Sequence, residues 1–233
     1  MKQSKTYCVK GVGDHVKCPW CKGLSIRYGL NKAKKQRFRC KLCCKTFLIN
    51  YTNQAYRNST NTKIINHLKE SCGISSISRL IHVSKQTVLT RILKMAKHLK
   101  RPPVTFGMTY EIDEQHTYIQ NKETGEIWIT YAFCRETKRV VDFIVGDRTK
   151  MTMKTVIDFV LLSNPIKVYT DGLGNYKSLI PKFLHSTRRR ATNHIERQNL
   201  KNRTDLKRLG RSTICYSKSA ALLSACLRIY FWG

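Results

Sequence analysis

Two Cys-x2-Cys pairs near the amino terminus constrain the fold of this chain more than any other sequence feature. Cys18 and Cys21 form the first pair, Cys40 and Cys43 form the second, and eighteen residues separate them. Thiolates at this spacing fold around one tetrahedral Zn²⁺ ion, because each tight turn presents two sulfur atoms to the metal. We therefore predict a zinc ribbon over residues 1–52.

Basic and aromatic residues alternate between the two pairs, in residues 26–29 and 36–39, and this pattern predicts a hairpin. Cys44 directly follows Cys43 and competes with it as the fourth zinc ligand. A coincidental cluster of thiols is the alternative. Ten cysteines are also compatible with a secreted disulfide scaffold. The length of 233 residues, the lack of an apolar signal core and the clustering of half the cysteines favour metal binding.

The composition is strongly basic, with 44 Lys and Arg residues against 14 Asp and Glu residues and a formal net charge of +30. An excess of this size most simply neutralises a polyanion, and DNA or RNA is the usual one. A solvated basic surface without a partner is the alternative. Because no run of eighteen apolar residues is present, we expect no membrane partner and a cytoplasmic location.

Helical periodicity dominates residues 57–99, with a break at Gly73 and a capping serine at Ser84. This pattern predicts a helix-turn-helix DNA-binding domain over residues 56–100. The second helix of such a motif places polar side chains in the major groove of DNA. The residues expected to do so here are Lys85, Gln86 and Arg91. An ordinary helical hairpin is the alternative.

The periodicity changes to that of strands after a proline-containing linker, residues 101–103. Three strands are predicted first, followed by a helix, a short buried strand and a further helix. The ranges of the first five elements are 109–113, 127–133, 140–145, 153–162 and 166–170. This order predicts an antiparallel meander that leads into an alternating α/β part over residues 105–233. We interpret the apolar segment 220–232 as a core helix rather than an assembly surface.

Three acidic residues, Asp113, Asp171 and Glu196, stand out in this otherwise basic region. The first lies in a predicted strand, the second follows a predicted strand, and the third lies in a basic helix predicted over residues 193–209. Carboxylates that converge from such positions bind Mg²⁺ or Mn²⁺, because their mutual repulsion is costly without a cation. Taken singly, each acid also fits a plainer role as a surface residue, a helix cap or an ion-pair partner.

The chain resembles the transposases of the insertion sequence one family, which belong to the DDE superfamily and have a ribonuclease H-like catalytic core. The resemblance covers nearly the whole length and includes the cysteine pairs, the helix-turn-helix and the basic segment 203–218. The interval of twenty-four residues between Asp171 and Glu196 is also typical of that family. Three motifs carry the likeness in the catalytic half: Glu111-Ile-Asp-Glu-Gln, Tyr169-Thr-Asp-Gly and Asn193-His-Ile-Glu-Arg-Gln-Asn.

The resemblance implies that Asp113, Asp171 and Glu196 are the catalytic residues and the ligands of Mg²⁺ or Mn²⁺. It implies a DNA transposase that binds the terminal inverted repeats of double-stranded DNA and then cleaves and joins DNA strands. It also implies that the protein acts as a homo-oligomer on DNA and is associated with a prokaryotic nucleoid. No covalent protein–DNA intermediate is needed, so no nucleophilic side chain is assigned. The basic residues expected to contact phosphates are Arg197, Arg203, Lys207, Arg208 and Arg211.

Two other functions fit the same residues. A zinc-dependent DNA-binding regulator with an inactive carboxy-terminal half would keep its activity after Asp113→Ala. A metal-dependent nuclease with the same fold would cleave DNA without joining it. An in vitro joining assay with and without Mg²⁺ separates these functions from transposition.

Overall fold

The structure is a computed structural model that describes residues 16–51, 53–57, 59–103, 105–121, 123, 125–188 and 191–233. These residues form two β-sheets and seven α-helices, which confirms the predicted mixed α and β character. The chain divides into an amino-terminal unit, Met1–Arg57, and a carboxy-terminal unit, Asn58–Gly233. The first fifteen residues of the predicted zinc ribbon, and Thr52, lie outside the described residues. The domain limits proposed from the sequence stay predictions.

The amino-terminal unit contains a three-stranded antiparallel sheet in the order β1-β2-β3. Its strands are β1 (Ser25–Leu30), β2 (Gln36–Cys40) and β3 (Thr46–Leu48). The first two strands form the predicted hairpin, whereas β3 was not predicted because it has only three residues. The buried core of this unit consists of Cys18, Phe38, Cys40 and Phe47. A core this small needs an additional cross-link such as a metal ion.

Three helices begin the carboxy-terminal unit: α1 (Thr60–Lys69), α2 (Ile74–Leu80) and α3 (Lys85–His98). The predicted cap of α3 is confirmed, since the Ser84 hydroxyl accepts a hydrogen bond of 3.1 Å from the Thr87 amide. The last helix of the chain packs against α1 and α3 and completes the apolar core that all three helices share.

That last helix is α7 (Ala220–Trp232). One part of its surface, including Leu222 and Cys226, lies in the core with α1, α2 and α3. Another part, including Leu223 and Leu227, packs on the large β-sheet. The interpretation of this segment as a core helix is therefore confirmed.

The large sheet has five strands in the order β6-β5-β4-β7-β8. The strands are β4 (Thr109–Tyr118), β5 (Glu126–Cys134), β6 (Arg139–Gly146), β7 (Lys167–Tyr169) and β8 (His185–Ser186). The first three pair as the predicted antiparallel meander, and β7 then pairs parallel to both β4 and β8. Strand β4 is longer than predicted because it pairs with β5 as far as Tyr118.

Helices cover both faces of this sheet. Helices α4 (Lys150–Leu161) and α5 (Gly174–Leu179) share an apolar core with Tyr110 and Ile112 of β4. Helix α6 (Asn193–Asp205) contacts the opposite face of β4 and ends four residues before the predicted limit, since a short 3-10 turn follows it. In the described part of the chain, no helix has both the length and the apolar character needed to cross a bilayer.

Candidate functional site

Four cysteine sulfurs converge in the amino-terminal unit. The ligand atoms of Cys18, Cys21, Cys40 and Cys43 all lie within 4.8 Å of one another. The Cys18–Cys43 sulfur distance is 3.6 Å and the Cys21–Cys40 distance is 3.4 Å. Tetrahedral zinc with Zn–S bonds of about 2.3 Å separates its sulfurs by roughly 3.8 Å, so these thiols fit the ion. Cys44 is exposed and outside this group, which favours Cys43 as the fourth ligand.

The two cysteine turns have the same local conformation. Each ends in a residue with left-handed backbone geometry, Lys22 at φ 60° and Cys44 at φ 57°. In the second turn the Cys43 amide lies 3.5 Å from the Cys40 sulfur, and this hydrogen bond lowers the pKa of the Cys40 thiol. Because zinc binds the thiolate, the fold favours the form of Cys40 that the metal requires.

Removal of zinc is expected to unfold the amino-terminal unit, since burial of its four core residues cannot replace the folding free energy that the metal contributes. Elemental analysis of the full chain should give one zinc per molecule, and chelation should abolish slow amide exchange in β2. Cys43→Ser should lose the metal, whereas the matched variant Cys44→Ser should retain it. Purified protein that contains no stoichiometric zinc and keeps its amide protection in chelator would contradict this prediction.

Three carboxylates converge in the carboxy-terminal unit. Oxygens of Asp113, Glu114 and Asp171 all lie within 4.8 Å of one another. Strand β7 pairs with β4 only as far as Glu111 opposite Tyr169, so the next residues of β4 lie beside an open sheet edge. The structure thus brings together two of the three acids expected from the sequence and adds Glu114, which the sequence did not single out.

Glu196 lies on the first turn of α6 and is exposed. Its carboxylate accepts a hydrogen bond of 2.8 Å from the Thr192 hydroxyl, and it lies outside the group of three carboxylates. Burial raises the pKa of Asp113, and the negative charges of Asp171 and Glu196 raise it further. Glu196 therefore shares an electrostatic environment with the two aspartates without contacting them.

The plainer role considered for Asp171 is present in part. One of its oxygens accepts a hydrogen bond of 3.0 Å from the Leu173 amide, which stabilises the turn before α5. Asp113 is likewise anchored, since its two oxygens accept hydrogen bonds of 2.8 Å from the Glu114 amide and 2.7 Å from Asn199 Nδ2. Each carboxylate oxygen has two lone pairs, so these bonds orient Asp113 and leave it able to bind a cation.

A series of polar contacts, here called the polar ladder, joins β4 to α6. Its strand residues alternate along β4 and its helix residues recur three or four positions apart along α6, so each set faces the other. Its distances are 2.8 Å from the Ile195 amide to Glu111, 2.7 Å from Asn199 Nδ2 to Asp113, and 3.1 Å from Asn202 Nδ2 to Gln115. The polar ladder fixes the register of α6 along β4, and hence the position of Glu196.

Glu111 is the most heavily bonded residue of the polar ladder, and it is fully buried. Its Oε1 accepts hydrogen bonds from Arg135 Nε at 2.6 Å and from His194 Nδ1 at 2.8 Å. Arg135 also donates to the Ala191 carbonyl and stacks on the Tyr169 ring, with 3.9 Å from the guanidinium carbon to the ring centroid. Glu111 thus anchors the amino-terminal end of the helix that carries Glu196.

The residues proposed for the major groove lie on α3. Lys85 and Gln86 are exposed at its amino-terminal end. Arg91 is half-buried and donates a hydrogen bond of 2.7 Å to Asn61 of α1, so it also joins two helices.

The proposed phosphate contacts differ in exposure. Arg197, Lys207 and Arg211 are exposed, while Arg203 is partly buried, and this burial lowers the pKa of its guanidinium. Arg208 is different, since it is 5% exposed and donates a hydrogen bond of 3.0 Å to the Ser217 hydroxyl. In this conformation its guanidinium is therefore bonded within the interior.

Three site residues would have been hard to assign from the sequence: Glu111, Glu114 and Asn199. The acids had one available signal, since three of the four residues at 111–114 are acidic in a chain with only 14 Asp and Glu. Asn199 ends the motif Asn193-His-Ile-Glu-Arg-Gln-Asn, from which we expect it to contact a phosphate or to orient Glu196. Its hydrogen bond to Asp113 becomes visible only when its partner on the strand is known.

Comparison with known proteins identifies related sequences. A family model described as IS1 transposase matches residues 107–231. The insertion element iso-IS1n protein InsB of Shigella dysenteriae is 35% identical over 112 residues, which cover 48% of this chain and 85% of that protein. The insertion element IS1 4 protein InsB of Escherichia coli (strain K12) is 37% identical over 112 residues, which cover 48% of this chain and 66% of that protein.

A solved structure of a simian T-cell lymphotropic virus intasome in complex with PP2A regulatory subunit B56 gamma contains a chain with weaker similarity. Its TM-score is 0.31 at 12% identity, over 71% of this chain and 65% of that chain. A likeness of this size indicates neither fold nor function.

Proposed function

This chain belongs to the IS1 transposase family, and on that premise we propose that it cleaves and joins DNA strands by metal-dependent phosphoryl transfer. The observation that carries the proposal is the convergence of Asp113 and Asp171 at an open sheet edge, beneath the helix that bears Glu196. The proposed substrate is double-stranded DNA at the terminal repeats of an insertion sequence, together with its target.

The strand order supports a ribonuclease H-like core for residues 105–233. Three antiparallel strands are followed by two parallel strands added on the side of β4, and helices cover both faces. Asp171 follows the carboxyl end of β7, where sheets of this class place their ligands. Asp171 is exposed there, so a DNA backbone can approach the two aspartates.

A pair of Mg²⁺ or Mn²⁺ ions, once bound, would activate the attacking oxygen and stabilise the leaving oxygen of an in-line displacement. Asp113 and Asp171 supply the carboxylate oxygens that such hard cations prefer. The two hydrogen bonds to Asp113 hold its carboxylate in place before the substrate arrives. Glu196 is proposed to join the aspartates once its side chain rotates away from Thr192, on a helix whose register along β4 the polar ladder fixes.

DNA recognition is proposed to use both the zinc ribbon and the helix-turn-helix. Lys85 and Gln86 are exposed and suitable for base contacts. A cationic track formed by Arg197, Arg203, Lys207 and Arg211 is proposed to contact phosphates, and Arg208 is left out of it. Each phosphate contact that is lost should reduce the slope of log affinity against log salt by about 0.9. A slope unchanged by replacing the exposed members of the track with glutamine would exclude it.

A joining assay tests the proposal, with the unchanged chain and a DNA substrate made from the sequence that flanks its gene. With Mg²⁺ we expect both nicked ends and joined products. When a chelator withdraws Mg²⁺ from the zinc-loaded sample, we expect neither product. Cleavage without joined products would indicate a nuclease. DNA binding with neither product would indicate a regulator. A homo-oligomer that bridges two ends is expected to form only in the presence of both ends.

A further inference from the structure

Glu114 is a buried acid whose only salt bridge among the described residues is a long one, to Arg148. Its side chain is 1% exposed, and neither carboxylate oxygen has a hydrogen-bond partner among the described residues. The Arg148 Nε lies 3.8 Å from Oε1, which is beyond hydrogen-bonding distance, and its guanidinium stacks on Trp128. A buried carboxylate without donors is among the costliest arrangements in a protein interior.

The surroundings of Glu114 increase this cost. Its carboxylate lies within 4.8 Å of those of Asp113 and Asp171, so three acids repel one another. The buried hydroxyl of Tyr176 faces the Glu114 carboxylate and interacts with it, but the two groups do not reach the geometry of a hydrogen bond.

The other acids of this region accept hydrogen bonds from the chain itself. Glu111 accepts three hydrogen bonds, Asp113 accepts two, and Asp171 accepts one from the turn that follows it. Glu114 alone among these four acids has buried oxygens that accept no hydrogen bond of normal geometry from the described residues, although Arg148 and Tyr176 lie near them. Its position is therefore that of a ligand whose cation comes from outside the chain.

We propose that Glu114 is a further ligand of the catalytic cations, which it binds together with Asp113 and Asp171. Successive residues of a strand point to opposite faces, so Glu114 approaches the aspartates from the side of α5 and Glu196 from the side of α6. The two glutamates would then add carboxylate oxygens to the aspartates from opposite faces of the sheet. This inference rests on the proposed function, since it adds a ligand to the same site.

Mn²⁺ binding to the zinc-loaded full chain tests the proposal without any measurement of activity. Free Mn²⁺ is followed by electron paramagnetic resonance, and the melting temperature of the carboxy-terminal unit is recorded with and without Mn²⁺. Glu114→Gln, which is nearly isosteric, is compared with Asp113→Asn and with Glu126→Gln. Glu126 is a matched control because it is an exposed glutamate on the neighbouring strand. Among the described residues its only ion-pair partner is His116, at 3.3 Å.

We expect Glu114→Gln to weaken Mn²⁺ binding at least tenfold, to abolish the rise in melting temperature caused by Mn²⁺, and to raise the melting temperature without the metal. Glu126→Gln should change none of these quantities. The conservative variant Glu114→Asp should restore part of the affinity. If Glu114 only pairs with Arg148, Glu114→Gln will lower the metal-free melting temperature and leave Mn²⁺ affinity within about twofold.

That second result would overturn the inference but not the proposed function, provided that Asp113→Asn still loses Mn²⁺. A failure of the unchanged chain to bind Mn²⁺ would instead overturn the shared cation site itself. The two proposals therefore fail in different ways.

Discussion

Asp113→Asn is expected to lower the rates of strand cleavage and joining by about 10³-fold or more. The substitution keeps the shape of the side chain and an oxygen that can accept the hydrogen bond from Asn199, but it removes the charge that a cation requires. Loss of metal stabilisation of a phosphoryl-transfer transition state costs several kcal/mol, and about 4 kcal/mol corresponds to 10³ in rate. Affinity for the terminal repeat should not fall, because the proposed DNA contacts lie elsewhere.

Single-turnover kinetics and a binding titration measure the two quantities on the same preparation. The matched control is Asp158→Asn, which removes an exposed carboxylate that pairs with Lys154 on α4 and should leave both quantities unchanged. An Asp113→Asn variant that joins DNA at a rate within tenfold of the unchanged chain would show that this carboxylate does not hold the reacting metal. Equal losses of binding and joining would show a structural role instead.

Glu111→Gln is expected to destabilise the carboxy-terminal unit by about 2–4 kcal/mol, because removing one member of a buried ion pair leaves its partner unbalanced. Arg135 is 24% exposed and the His194 side chain is 41% exposed, so part of the cost is reduced by solvent. The Ile195 amide would keep a weaker acceptor. Because the amino-terminal end of α6 loses its anchor, joining should fall more than binding.

Urea unfolding followed by the fluorescence of the three tryptophans measures this effect, with zinc present throughout. Glu126→Gln is again the matched control and should shift stability by less than about 0.5 kcal/mol, since exposed ion pairs contribute little. A loss below about 1 kcal/mol for Glu111→Gln would mean that its three hydrogen bonds do not fix α6.

Spacing and periodicity predicted the parts of this chain whose residues interact locally. The Cys-x2-Cys spacing identified the four sulfurs that converge, and Ser84 identified the start of α3. The strands of the meander were recognised from their apolar alternation. Strands β3 and β8 were missed, since three and two residues carry no measurable period. The equally short β7 was predicted because it lies within the apolar segment 166–170, between two predicted helices.

The polar ladder could not be predicted, because strands and helices are recognised from the periodicity of their apolar residues and the residues of the ladder are polar. The second half of β4 carries Glu114, Gln115 and His116, and a buried strand face with polar residues resembles a loop in sequence. Helix α6 packs through Asn199 and Asn202 rather than through an apolar stripe. Polar contacts between distant segments become visible only when both partners are placed.

The burial of individual side chains could not be predicted from the sequence either. In a chain with 44 Lys and Arg residues, nothing in the sequence separates Arg208, which is buried, from Arg211, which is exposed. The acid motif predicted that Asp113 and Asp171 would meet, because both lie at strands that pair. Glu196 instead accepts a hydrogen bond from Thr192 and lies outside the group of carboxylates, and nothing in the motif indicates that side-chain contact.

Anomalous scattering from Mn²⁺ in crystals of the full chain bound to terminal-repeat DNA would test most directly whether the three acids form one metal site. We predict manganese peaks beside the scissile phosphate, with ligand distances of about 2.1–2.2 Å to oxygens of Asp113, Asp171 and Glu196. Glu196 should then have left the Thr192 hydroxyl. Metal-free aspartates, with Glu196 still bonded to Thr192 while DNA occupies the crevice, would contradict the proposed chemistry.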